Sequence, residues 1–190
     1  MSSDLVDPRR ADITRDLARQ GLERFGETLA NIHALPLHWT RQVRGALESL
    51  DNRAKPVDDP DAATVVNWLV ANAPTAREIT FVHGDYNVAN VLLDAGSVAA
   101  VLDWEYAGLG WKEYEIAWAL RARTHFLDNE VERCALLEGY RRTGSFDSHA
   151  LRWCETLNYL HFATWSGAAN PAYRRFALDH AIALTRDDGE

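Results

Sequence analysis

The sequence has 190 residues, of which 47% are hydrophobic, which is enough for one compact domain over residues 1–190 that buries roughly 70% of its unfolded surface. Its formal net charge of −8 at pH 7 argues against nucleic-acid and anionic-membrane partners and is compatible with a cationic ligand. No apolar run approaches the ~18 residues of a membrane span, and the two cysteines, Cys134 and Cys154, are expected to be reduced core residues of a cytoplasmic protein.

Helical signals fill the first part of the chain. Asp7-Pro8 and Asp59-Pro60 resemble helix starts, in which aspartate caps the helix and proline takes its first position. Apolar residues at helical spacing predict three helices, with the stripes Leu22, Phe25, Leu29 and Ile32; Trp39, Val43, Ala46, Leu47 and Leu50; and Ala62, Val65, Val66 and Leu69. Pro36 is expected to end the first helix, and the polar segment 51–59 predicts a loop.

The hydrophobic period then changes. Short strands are predicted over residues 79–82, 90–94 and 98–103, with a turn around Gly96 between the last two. Helical spacing resumes and predicts helices over 115–126, 130–142 and 151–165 and from Phe176 to Leu184. The segment 151–165 is apolar nearly all round, so it is expected to be a buried central helix. The predicted fold is mainly α with a small β-hairpin insertion, and the segment 79–117 holds the candidate chemistry.

A polar cluster, HGDYNVAN, lies between two apolar runs at residues 83–90. Asp85 is expected on the loop that leaves the first strand, Asn90 at the start of the second and Asp103 at the end of the third. A hairpin turning near Gly96 would bring Asn90 and Asp103 together, and two oxygen ligands suit Mg²⁺. Asp85 would then be available to accept a proton from a hydroxyl group. The alternative is that Asp85 and Asn90 only cap turns.

HGDYNVAN followed by LDWEYAGLGWKEYEIAW resembles the catalytic core of the aminoglycoside phosphotransferase and choline kinase superfamily, which is related to protein kinases. Members share the catalytic loop H-G-D-x-x-x-x-N and the metal motif D-W-E. The resemblance implies that Asp85 is the catalytic base and that His83 organises the catalytic loop without carrying a proton. It also implies that Asn90 and Asp103 hold Mg²⁺ and, through it, ATP.

Glu105 and Glu115 are assigned by the same resemblance. Glu105 aligns with the glutamate of the metal motif, and Glu115 takes the place of an aspartate in a D-[LI]-A segment, so both are expected on the metal or substrate side. Acids at Glu105, Glu113 and Glu115 favour a cationic amine as acceptor, although a solvated helix start explains Glu113 and Glu115 equally well. The remaining histidines show no metal-ligand spacing and are treated as ordinary: His33, His38, His125, His149, His161 and His180.

The resemblance covers only the C-terminal lobe of the kinase-like fold, from about Asp12 onward. The N-terminal nucleotide-binding lobe, with its glycine-rich loop and strand lysine, is expected to be absent. Lys55 lies in a polar loop, Lys112 follows the metal motif, and Gly108-Leu109-Gly110 is predicted to be a turn.

The implied function is ATP-dependent transfer of the γ-phosphoryl group to the hydroxyl of a small molecule such as an amino alcohol, with the chain inactive by itself. The alternative is a non-catalytic kinase-like module that binds a small molecule or a partner protein. Metal-assisted phosphoester hydrolysis is a third hypothesis, but the predicted site lacks the number of ligands that a two-metal centre needs. Self-association is expected through the apolar face that the missing lobe would leave.

Overall fold

A computed structural model describes residues 19–37, 59–94, 97–121, 130–164 and 171–186. Within these ranges lie the helices α1 (Arg19–His33), α2 (Pro60–Ala71), α3 (Lys112–Ala119), α4 (Glu130–Arg141), α5 (Ser148–Thr164) and α6 (Pro171–Arg186). The strands are β1 (Ile79–Val82), β2 (Val91–Asp94), β3 (Ser97–Val101) and β4 (Gly108–Trp111). The described part is therefore mainly α with a small β insertion, as predicted. None of its helices is both long and apolar enough to cross a membrane.

The start of α2 shows how local sequence fixes an element. Asp59 has an extended backbone and its Oδ1 accepts hydrogen bonds from the backbone N–H groups of Asp61 at 2.9 Å and Ala62 at 3.3 Å. Pro60 follows at the first helical position, where no N–H is needed. This predicted helix start is confirmed. The predicted start at Asp7 and the stripe Trp39 to Leu50 lie outside the described residues, as do the predicted turn at Gly96 and positions 122–126 of the helix predicted over 115–126.

The strands form two antiparallel pairs. β2 pairs with β3 as predicted, with an irregularity between Leu92 and Leu93, whereas β1 pairs with β4. The prediction of a turn at Gly108-Leu109-Gly110 is wrong, because this segment is β4. Glycine is required here by close packing: a Cβ atom on Gly110 would lie 2.6 Å from Cγ2 of Val82 on the neighbouring strand. The segment is short and rich in glycine, so it lacks the alternation that marks a strand.

The helices pack in two main pairs, α1 with α4 and α5 with α6. α1 and α4 approach each other so closely that a Cβ atom on Gly139 would lie 1.9 Å from the carbonyl oxygen of Glu23. α5 is buried on nearly every side, including Trp153, Leu157 and Leu160, which confirms the predicted central helix.

The two cysteines differ in environment. Cys154 is fully buried in the core as predicted, but Cys134 is exposed on α4, so the expectation that both thiols lie in the core is wrong for Cys134.

Candidate active site

The loop after β1 is organised around His83, whose side chain is fully buried. Its Nε2 lies 2.8 Å from the carbonyl oxygen of Leu102, which can only accept a hydrogen bond, so Nε2 carries the proton. Nδ1 is then left to accept the backbone N–H of Asp85 at 3.3 Å. His83 thus ties the loop to the segment after β3, and the placement fits a loop-organising side chain.

Glu115, on α3, holds the backbone of the same loop through its carboxylate. One oxygen of its buried carboxylate accepts the backbone N–H of His83 at 2.9 Å, and the other accepts that of Gly84. Gly84 has φ +88°, and a Cβ atom there would lie 2.3 Å from the carbonyl oxygen of Tyr106, so only glycine fits. The structure therefore places Glu115 beneath the loop, with its oxygens occupied by the protein and not directed to a substrate.

His33 and Tyr140 extend this network and were not singled out by the sequence. Nε2 of His33 contacts the carboxylate of Glu115 at 3.0 Å, and Nδ1 lies 2.8 Å from the hydroxyl of Tyr140. Burial, reinforced by the nearby Glu113, Glu78 and Glu115 charges, raises the pKa of Tyr140, so its hydroxyl keeps its proton. His33 is thus part of the support of the loop, although its spacing gave no sign of it.

Both carboxylate oxygens of Asp85 are held by neutral donors. Oδ1 accepts Nε1–H of Trp118 at 2.7 Å, and Oδ2 accepts the side-chain amide of Asn90 at 3.1 Å. The amides of Asn87 and Asn90 also donate to the backbone carbonyl of Asp85, each at 2.9 Å. Asp85 is half-buried, so its carboxylate is fixed in direction yet reachable from solvent.

Trp118 is itself held between two neighbours. The guanidinium carbon of Arg121 lies 3.2 Å from the centre of the Trp118 ring, and the Phe162 ring from α5 lies 5.8 Å away on centroids. Sequence reasoning missed Trp118 as a site residue. The available signal is its spacing, because a residue three positions after Glu115 lies on the same face of α3 as Glu115.

Asp103 lies two residues after the end of β3, in the segment that follows the β2–β3 pair. It is the one non-glycine residue with positive φ in the ranges that the structure describes, at φ 63° and ψ 57°. Asparagine and aspartate tolerate this left-handed conformation best, and such strain concentrates at functional sites. The backbone N–H of Leu102 donates to the carbonyl of Asn90 at 2.7 Å, which puts Asp103 next to Asn90. Asn90 therefore contacts Asp85 through its side chain and lies beside the segment that carries Asp103.

Glu105 and Tyr106 lie on the exposed side of this cluster. The negative charge of Glu105 and its hydrogen bond, with smaller effects from Asp103 and Asp85, raise the pKa of Tyr106. Glu105 is exposed and reachable by a ligand, in contrast to Glu115. Four large apolar side chains in the segments that carry Asn90 and Asp103 are exposed and are called here the apolar face: Leu92, Leu102, Trp104 and Tyr106.

The donor set fits Mg²⁺. Asn90 uses its amide nitrogen toward Asp85, which leaves its amide oxygen for a cation, and Asp103 is exposed with no capping hydrogen bond on its carboxylate. Two oxygen ligands suit an ion that keeps several waters and takes substrate phosphates. Across the described ranges, no three His, Cys, Asp or Glu side chains gather as a metal cage, so the site offers only this small set.

The model of the phosphotransferase enzyme family matches residues 6–154. Among curated proteins, the chain is 30% identical over 128 residues to acyl-CoA dehydrogenase family member 10 of Mus musculus, covering 66% of this chain and 11% of that protein. It is 23% identical over 133 residues to aminoglycoside 3'-phosphotransferase of Niallia circulans, covering 63% of this chain and 51% of that protein. The chain thus spans about half of the second relative and far less of the first.

The crystal structure of a choline/ethanolamine kinase family protein from Mesorhizobium loti superposes with a TM-score of 0.66 at 15% identity. The superposition covers 88% of this chain and 61% of that one. At this identity the likeness shows the fold, which is kinase-like.

Proposed function

The chain belongs to the phosphotransferase enzyme family, and on that premise we propose that it carries the proton-accepting and metal-holding part of an ATP-dependent phosphotransferase for small molecules. The observation that supports the proposal is the carboxylate of Asp85, which accepts hydrogen bonds from the side chains of Trp118 and Asn90. Such an arrangement suits a general base better than a turn cap, because both oxygens are held by side chains and not by backbone N–H groups.

In the proposed reaction, the acceptor hydroxyl loses its proton to Asp85 as its oxygen forms a bond to the γ-phosphorus of ATP. The bond between that phosphorus and the bridging oxygen breaks, and ADP leaves with the electron pair. Asn90 and Asp103 would hold Mg²⁺, which when bound neutralises charge on the phosphates. His83 and Glu115 keep the loop in place, so that Asp85 stays aimed at the acceptor.

We further propose that the described residues form the helical C-terminal lobe of such an enzyme. Additional protein groups are then needed to bind the phosphates of ATP. None of the four described strands carries a lysine, and Lys112, at the start of α3, forms an ion pair with Glu78. A general base typically contributes ~10² to 10⁴ to rate enhancements that usually reach 10⁶ or more. This chain by itself should therefore turn over very slowly or not at all.

The acceptor is proposed to be a small hydroxyl compound with an amine, such as an amino alcohol or an aminoglycoside. The names of the aminoglycoside phosphotransferase and choline/ethanolamine kinase relatives support this class. The carboxylate of Glu105 is exposed, so it is available to attract such a cation. Glu113 and Glu115 are buried, so they do not form a solvated helix start.

The test is to incubate the protein with Mg²⁺, ATP and a panel of amino alcohols and aminoglycosides, and to follow phosphorylated products by ³¹P NMR. Any turnover should fall at least ~10²-fold in Asp85→Asn and stay unchanged in Glu130→Gln, an exposed control on α4. Transfer that survives Asp85→Asn would remove Asp85 from the base role.

The second candidate function is a non-catalytic binding module, which is favoured by the absence of a lysine from the four described strands. A thermal-shift screen separates the two. Stabilisation by acceptors that neither Mg²⁺ nor Asp85→Asn alters would favour the module, because the phosphotransferase proposal places both the acceptor and the metal next to Asp85. Calorimetry showing micromolar ATP affinity would contradict the proposal that half of the nucleotide site lies elsewhere.

The apolar face supports one further proposal, that the chain self-associates through it. Sedimentation at high protein concentration is expected to show dimers or larger species, and Leu92→Ser, at an exposed position of this face, should reduce them. A monomer at all concentrations would contradict self-association without affecting the proposed chemistry.

A further inference from the structure

Arg121 lies two residues after the end of α3 and is buried, since only 5% of the residue is exposed. Its backbone N–H donates to the carbonyl oxygen of Trp118 at 3.4 Å, and its side-chain Nε–H donates to the same oxygen at 3.0 Å. Because a guanidinium group keeps its proton in proteins, this side chain carries a full positive charge into the interior. A buried charge is costly unless its surroundings favour it, so the groups next to the guanidinium matter.

Two aromatic rings lie against this charge. The guanidinium carbon of Arg121 is 3.2 Å from the centre of the Trp118 ring and 4.8 Å from the centre of the Phe162 ring. Both distances are within the ~6 Å limit of a cation–π contact, in which tryptophan is the best partner. The shorter distance is that of a planar guanidinium stacked on the indole face. Rotation of the Trp118 ring would break this stacking, so Arg121 holds the ring in one orientation.

The Trp118 ring connects this charge to Asp85. Nε1–H of Trp118 donates to Oδ1 of Asp85 at 2.7 Å, which is short for an N–H···O hydrogen bond. A cation over the face of the ring attracts its π electrons, and this leaves the ring edge, including Nε1–H, more positive. A more positive N–H is a stronger donor to a carboxylate. Arg121 therefore acts on the hydrogen bond to Asp85 in two ways, through the orientation of the ring and through the strength of the donor.

We propose that Arg121 is a positioning residue of the phosphotransferase reaction, which fixes the direction of the Asp85 carboxylate through the Trp118 ring. The inference rests on the proposed function, because the direction of the carboxylate matters only if an acceptor hydroxyl approaches it. Arg121 is buried and acts through Trp118, without touching the substrate. Arg141 provides a comparison, because its guanidinium carbon lies 4.5 Å from the centre of the Phe146 ring. A phenyl ring has no N–H group that could pass the effect on.

The experiment follows two NMR signals of the protein without ligands, the indole ¹H–¹⁵N pair of Trp118 and the carboxyl ¹³Cγ of Asp85. Arg121→Gln keeps a planar polar group but removes the charge. It should move the indole proton upfield, because the hydrogen bond weakens, and should also shift the Asp85 carbon. Trp118→Phe keeps a ring for stacking but has no N–H, so in this background Arg121→Gln should shift the Asp85 carbon far less. An equal shift in both backgrounds would overturn the proposal, because the charge would then act directly through space.

Two further variants keep the test decisive. Arg121→Lys keeps the charge but loses the planar group, so both signals should move in the same directions by smaller amounts; this variant decides the test if Arg121→Gln fails to fold. Arg141→Gln removes an exposed arginine from a ring without an N–H and should leave both signals unchanged. The proposal is overturned if the Arg121 variants move the two signals no more than Arg141→Gln does.

A kinetic measurement tests the catalytic part of the inference. In a preparation with phosphotransferase activity, Arg121→Gln should lower kcat by less than the about tenfold expected for Trp118→Phe, with little change in KM. In the Trp118→Phe background it should lower kcat no further. An unchanged kcat in the single variant would overturn the positioning role. Failure of the proposed function would appear differently, as transfer that survives Asp85→Asn while Arg121→Gln still shifts both NMR signals.

Discussion

Glu115 offers the sharpest test of how the catalytic loop is supported. Its buried carboxylate contacts His33 and accepts hydrogen bonds from the buried backbone N–H of His83 and the partly buried N–H of Gly84. Glu115→Gln keeps the shape of the side chain but turns one acceptor into an NH₂ donor. Whichever oxygen is replaced, at least one N–H of the loop then faces another donor, and that N–H is buried in His83 and partly buried in Gly84.

The expected cost follows from these contacts. An orphaned buried N–H costs about 1–3 kcal/mol, and the remaining hydrogen bonds lose the strengthening given by a charged acceptor. We therefore expect Glu115→Gln to lower the free energy of unfolding by about 2–4 kcal/mol, a large part of the 5–15 kcal/mol typical of a domain.

Urea denaturation at 25 °C measures this loss, and hydrogen exchange should show reduced protection of the amides of His83 and Gly84. The exposed Glu130→Gln serves as control and should change stability by less than about 0.5 kcal/mol. A loss for Glu115→Gln as small as that of the control, with the loop amides still protected, would refute the described role of Glu115.

Three other predictions concern single side chains. In a preparation with phosphotransferase activity, Trp118→Phe should lower kcat about tenfold with little change in KM, because it removes one hydrogen bond to the catalytic carboxylate; an unchanged kcat would show that Trp118 does not position it. At pH 8, a thiol reagent should modify Cys134 in the folded protein and Cys154 only after unfolding, since Cys134 is exposed and Cys154 is buried; equal reaction rates would contradict this. Burial also raises the pKa of Tyr86 and Tyr140 above the ordinary value of 10.0, so their contribution to stability is complete below pH 10 and is lost as pH rises further. Unfolding free energies measured from pH 8 to 11 should therefore fall above pH 10, less steeply in Tyr86→Phe, and a flat profile would refute the sign.

Local chemistry made several elements predictable from sequence. Asp59 and Pro60 specify the start of α2 by themselves, because cap and proline act on adjacent backbone groups. Apolar residues on nearly all sides of the segment 151–165 predicted that α5 would be a buried helix. Spacing alone also suggested that the hairpin would place Asn90 near Asp103, and the structure joins the backbone of Leu102 to Asn90, which contacts Asp85.

The features that sequence reasoning missed depend on contacts between distant residues. β4 becomes a strand because Gly110 fits against Val82, a packing condition that a glycine-rich segment does not reveal. The hydrogen bond from His33 to Glu115 joins residues 82 positions apart. Glu113 and Glu115 read as a solvated helix start because acidic residues favour that position, yet packing of α3 against α5 and β1 buries both.

The loop that carries Asp85 is held in its final shape by the fold alone, through His83, Glu115 and Trp118. A small molecule arriving there meets side chains whose rotational freedom was already lost when the chain folded. About 0.5–1.5 kcal/mol of conformational entropy per such side chain then need not be lost again on association. Selectivity among acceptors would consequently depend on surfaces outside this loop, which can vary between relatives without loosening the rigid centre.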